Sequence, residues 1–88
     1  MNEQTQRLIS ERREELEMAY EVRLNHGAEN EKQYPYRLVS WFRDAEGTQS
    51  SKRILYRATR AEAEAERTKI IDAEIDSFRS TLVGIEVE

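Results

Sequence analysis

Thr59-Arg60-Ala61-Glu62 constrains this chain more than any other stretch, because it spells a reciprocal helix start. In that motif the Thr hydroxyl takes the Glu62 amide proton and the Glu carboxylate reaches back to the Thr amide. A helix must begin there, and the residues after it agree. Ile71, Ile75, Phe78 and Leu82 fall at spacings of four, three and four, one apolar stripe suited to lie across a sheet. Glu62, Glu64 and Glu66 stand at the end where the helix dipole favours negative charge. The helix is predicted over 59–83, with Gly84 as its stop. Ile85-Glu86-Val87-Glu88 alternates again and reads as a short fourth strand or a tail.

What precedes Thr59 has the opposite period. Met18, Tyr20, Val22 and Leu24 alternate with Ala19, Glu21, Arg23 and Asn25, the two-residue repeat of a half-buried strand. At 100° per residue Met18, Val22 and Leu24 scatter around a helical wheel, which disfavours a helix here. After the polar connector 26–33, with Gly27 at a left-handed position, Tyr34 to Arg43 is aromatic and β-branched, with Pro35 at its start. Residues 44–51 read as a hairpin loop, and Lys52 to Ala58 as a third strand around Ile54, Leu55 and Tyr56. Three antiparallel strands in chain order make a meander over 18–58. Upstream, residues 1–17 are rich in Glu, Gln, Arg and Leu without Gly or Pro, so a helix is predicted. Its stripe of Leu8, Ile9 and Leu16 is narrow, which suits loose docking or exchange onto a partner. The expected fold is α+β: an N-terminal helix, a three-stranded antiparallel β-meander and a C-terminal amphipathic helix packed on one sheet face. At 88 residues one domain over 1–88 is expected, with a modest core that a homodimer would enlarge.

Composition removes several functions. The chain has no cysteine, so no disulfide framework, thiolate nucleophile or Cys-based metal site can form. That suits a reducing, cytoplasmic setting. No apolar run approaches bilayer-spanning length, and the N-terminus lacks the pattern of a secretory signal, so no membrane association is expected. His26, the single imidazole, sits in a predicted loop without a Ser, Cys or Asp partner in any catalytic spacing. Glu14-Glu15 and Glu62, Glu64, Glu66 read as solvated helix faces, and three glycines cannot build a phosphate-cradling loop. No enzyme, metal or cofactor is expected.

The sharper signal is the sheet. With Met18, Tyr20, Val22, Leu24, Tyr36, Leu38, Phe42, Ile54, Tyr56 and Ala58 under the C-terminal helix, alternation sends the rest outward. Arg23, Arg37, Val39, Trp41, Arg43, Arg53, Leu55 and Arg57 then share the other face. The candidate binding residues are Arg23, Arg37, Trp41, Arg43, Arg53 and Arg57. The formal charge is −4, yet residues 18–58 hold seven Lys or Arg against five acids while the flanking helices are acidic. Three readings compete for that face. Its arginines pair with Glu21 and nearby acids while the N-terminal helix or a second subunit covers Val39, Trp41 and Leu55. It receives an acidic protein surface. Or it grips phosphates with bases stacked on Trp41.

The element order is similar to that of double-stranded-RNA-binding domains, which carry basic residues at the start of the final helix. Here Thr59-Arg60-Ala61-Glu62-Ala63-Glu64-Ala65-Glu66 is acidic and would repel a phosphate groove. A three-stranded sheet followed by a helix also resembles the sheet-reading DNA-binding modules of some integrases, in which Arg and Trp on strands enter the major groove. The leading expectation is a non-enzymatic adaptor, regulator or inhibitor of a protein partner, of the kind a phage or mobile element encodes as an accessory. The alternative is a nucleic-acid-binding module using the same residues.

Overall fold

A computed structural model describes residues 2–87, with side chains placed up to Gly84. Helix α1 (Glu3–Ala19) leads directly into β1 (Tyr20–Leu24), followed by β2 (Tyr36–Arg43), β3 (Gln49–Arg57) and helix α2 (Arg60–Val87). The strands form one antiparallel sheet in the order β1-β2-β3, so the fold is α+β with a meander at its centre.

Each element has a local cause. The Asn2 side chain caps α1 by accepting from the Thr5 amide at 2.7 Å. Thr59 caps α2, its hydroxyl accepting from the Glu62 amide at 3.1 Å. Gly27 and Gly47 take φ of 79° and 82°, a region closed to most side chains, and so turn the two connections. Asn25, 3% exposed, holds the first connection shut. Its Nδ2 donates to Asn30 Oδ1 at 2.9 Å and to the Tyr34 carbonyl at 2.8 Å, and its amide donates to the Pro35 carbonyl at 2.9 Å.

Several boundaries differ from the sequence reading, and β2 starts at Tyr36 rather than Tyr34. β1 starts at Tyr20, because α1 continues through Met18 and Ala19; Met18 is 80% exposed and takes no part in the core. β3 begins at Gln49, since Gln49, Ser50 and Ser51 pair with Arg43, Phe42 and Trp41, and it stops before Ala58. α2 passes through Gly84 in helical conformation to Val87, so no fourth strand forms there; Glu88 lies outside the described residues. A glycine with no left-handed φ is tolerated inside a helix at a cost of about 1 kcal/mol.

The helices pack on each other beside the sheet. Leu16 of α1 meets Ile71 and Ile75 of α2 in the buried cluster, with Ile9 and Tyr20 against it. Arg13 Nη1 reaches Asp72 Oδ1 at 3.2 Å across the pair. Twenty-eight residues make α2 about 42 Å long, more than the strands span, so it overhangs the sheet. The molecule is accordingly elongated, 52 × 33 × 16 Å. Its radius of gyration is 16.1 Å, against about 12 Å for a spherical domain of this length.

One arginine joins all three layers. Arg67 of α2 donates from Nε to the Tyr20 carbonyl at 2.8 Å and from Nη2 to the Glu17 carbonyl at 2.6 Å. The last turn of α1 has no basic residue of its own, so Arg67 supplies the cation its dipole favours and binds carbonyls the helix leaves open. About two turns along α2, the Tyr20 hydroxyl donates to Glu74 Oε1 at 2.9 Å. Arg67→Ala should cost about 2–3 kcal/mol in urea unfolding, because charged hydrogen bonds are lost at a part-buried site. Arg67→Lys should recover less than half, since an ammonium cannot hold two carbonyls with a planar fork. Burial and then the Glu74 hydrogen bond push the Tyr20 phenol above its ordinary value of about 10. The folded chain therefore keeps that proton longer than the unfolded one. Its contribution is fully present below about pH 10 and is lost as pH rises through the folded value. The Tyr20→Phe protein should lack this component of alkaline destabilisation; an unchanged alkaline limb would contradict the assignment.

Candidate functional site

Cross-strand partners point to the same side of a sheet, so the register assigns the faces. Tyr20 is opposite Ser40, Val22 opposite Leu38 and Leu24 opposite Tyr36, and this side carries α2. The other side collects Glu21 opposite Val39 and Arg23 opposite Arg37, with Trp41 and Arg43 further along β2. Leu24 and Phe42, expected under α2, are 56% and 48% exposed, because they lie near the ends of their strands. The alternation of faces expected from sequence nonetheless holds on β1 and β2.

On β3 it breaks. Leu38 pairs with Leu55, but Val39 pairs with Arg53, so Ile54 is an extra residue, a β-bulge. Residues before the bulge keep one phase and those after it take the other. Arg53 stays on the arginine face, while Leu55 and Arg57 turn to the helix side and Tyr56 turns outward. Three expectations are thereby corrected: Leu55, expected on the arginine face, is opposite Leu38 on the helix side. Ile54 and Tyr56 do not lie under α2; Ile54 is 40% exposed. Arg57 is not part of the arginine face, because its Nη2 faces Glu66 Oε1 of α2 at 3.5 Å and its Nη1 donates to the Tyr56 carbonyl at 2.7 Å.

Five of the six candidate residues thus share a surface: Arg23, Arg37, Trp41, Arg43 and Arg53. Val39 at its centre is 1% exposed, with Glu21 and Arg53 as cross-strand neighbours and Arg37 and Trp41 two residues away on either side. The guanidinium of Arg23 lies 5.7 Å from the Trp41 ring centre, and its Nε is 3.3 Å from Glu21 Oε1. Arg53 lies 4.6 Å from the Tyr56 ring centre and donates to the Tyr56 hydroxyl. Tyr34 stacks on Tyr56 at 6.2 Å and 16°, delivered there by the Asn25-held loop. Sequence reasoning missed Tyr34 and Tyr56, because the bulge that turns Tyr56 outward carries no Gly signature. It also missed Asn25, whose position just after an alternating run is its one signal.

Arg37 is the least settled member. It stands directly opposite another arginine, a pairing that like charges disfavour. Its Nε is enclosed and has no hydrogen-bond partner among the described residues. An enclosed donor in that state is costly. Arg43 has one long hydrogen bond, 3.4 Å to the Gly47 carbonyl, and no carboxylate within ion-pair distance among the described residues. The face therefore holds four guanidinium groups, with Glu21 as the carboxylate on its own strands and Glu15 of α1 at its edge, on a chain of charge −4.

The other sequence candidates lie elsewhere. The His26 side chain is 86% exposed, with Nδ1 3.1 Å from Glu31 Oε1 in the first connection. Among the described residues, no group of three or more His, Asp or Glu side chains is placed to hold a metal ion. None of the described helices is long and apolar enough to cross a membrane. No family model, curated protein or solved structure matches this chain.

Proposed function

We propose that this protein is a non-enzymatic binding protein, an adaptor, regulator or inhibitor, that receives an acidic surface of a protein partner on Arg23, Arg37, Trp41, Arg43 and Arg53. The observation that carries this reading is the cross-strand pair of Arg37 and Arg23 on a face that also holds Arg43 and Arg53. A carboxylate placed over the Arg23 and Arg37 side chains relieves the like-charge pair. The aromatic rings favour the same reading: Arg23 and Arg53 lie over Trp41 and Tyr56, which limits rotamer freedom and lowers the entropy cost of binding.

A nucleic-acid ligand uses the same charges but needs an open ring for base stacking. Arg23 already covers one face of Trp41. The acidic flanking helices also weaken any general attraction to phosphate.

Fluorescence anisotropy with a labelled oligo-glutamate peptide, and separately with labelled single-stranded and duplex DNA, tests the assignment at low salt. The peptide should bind, and the double substitution Arg37→Ala with Arg53→Ala should weaken it about tenfold or more, or about 1.4 kcal/mol. Arg57→Ala should change it by less than about twofold, because Arg57 faces α2. Absence of peptide binding, or equal loss in the Arg57 variant, would overturn the proposal. Tighter binding of DNA, with a steep salt slope, would replace it with the nucleic-acid reading.

A further inference from the structure

β2 is longer than its first neighbour. Pairing with β1 ends at Tyr20 opposite Ser40, yet β2 continues through Trp41, Phe42 and Arg43, held on the other side by Ser51, Ser50 and Gln49. Where β1 would continue, the chain has become α1. A helix is about 10–12 Å across with its side chains, so it cannot take a strand position at about 4.8 Å spacing. Among the described residues no backbone hydrogen bond links α1 to Trp41, Phe42 or Arg43. What remains is a groove of about 330 Å³, walled by Glu15, Met18 and Ala19 on one side and by Trp41, Phe42, Arg43 and Gln49 on the other. Its apolar lining is open to water: Met18 is 80% exposed and Phe42 48%.

We infer that this notch takes a short extended segment of the acidic partner, added to the free edge of β2 in line with β1. The inference rests on the arginine-face reading and specifies the form of the ligand. Side chains of an added strand alternate between the two faces. Those on the side of Trp41 and Arg43 meet the guanidinium groups, so they are acidic. Those on the other side meet Phe42 and Met18, so they are large and apolar. Arg43, without a carboxylate of its own among the described residues, receives the acid at one end of the notch.

Trp41 is the only tryptophan in the chain, so its emission reports on the arginine face and the notch beside it. The probes are an octapeptide alternating leucine and aspartate, octa-aspartate, and two versions of the alternating peptide N-methylated at every leucine or at every aspartate. The alternating peptide should shift Trp41 emission and bind about tenfold tighter than octa-aspartate. Met18→Gln, a neutral change at an exposed helix position, should remove that advantage without adding a charge that repels octa-aspartate. One N-methylated version should lose binding and the other keep it, because alternate amides of an edge strand face the sheet. Octa-aspartate binding with no gain from leucine, no effect of Met18→Gln on that gain, or equal binding of both N-methylated peptides would overturn the notch while leaving the arginine face standing. Failure of every acidic peptide would overturn both.

Discussion

Arg67 is the group on which the arrangement turns. A helix with a stripe as narrow as that of α1 gains little from burial, since Leu16 is its one large apolar side chain buried deeply. Burying such a side chain contributes about 2 kcal/mol, less than ordering a helix and a junction costs. Arg67 makes the difference by holding the end of α1 and the start of β1 at once, through the carbonyls of Glu17 and Tyr20. Tyr20 then adds its hydroxyl to Glu74, and its ring joins Leu16, Ile71 and Ile75. Both helices are thereby kept to one side, with α2 on the Tyr20 face of the sheet. The arginine face owes its availability to this junction, because α1 spends its apolar residues on α2.

The second constraint is the extra residue at Ile54. A side-chain period of two makes any inserted residue exchange the faces beyond it. In this sheet the exchange brings Leu55 opposite Leu38 and moves Arg57 toward Glu66, while Tyr56 goes outward to meet Arg53 and Tyr34. The bulge thus trades a cation for an aromatic platform on the binding side and gives α2 an ion-pair partner in return.

How legible each part was in sequence follows from whether its cause is local. The Thr59 cap, the alternation of β1 and β2, the aromatic second strand and the two turn glycines are short-range signals, and they placed every element of the fold. Five of the six candidate residues lie together for the same reason. The errors came from non-local choices. Met18 alternates with Tyr20 and Val22 as a strand residue would, yet α1 claims it, because Tyr20 as a cap donates its amide to Leu16 and the helix can run to Ala19. Gly84 has the identity of a helix stop but no left-handed φ, so α2 passes through it. The bulge depends on fitting β3 against β2, which no window of β3 alone reveals. Arg67 lay within the predicted helix with nothing in its spacing to distinguish it from the solvated charges around it.

Native-state hydrogen exchange tests most directly whether the Arg67 junction makes α1 part of the folded unit. The amides of residues 16–20, at the end of α1, should exchange with the same opening free energy as Ile71 and Ile75 in α2, moving together when denaturant is added. Exchange of that end of α1 near the unprotected rate, while Ile71 and Ile75 remain protected, would show that α1 opens independently and would contradict the account.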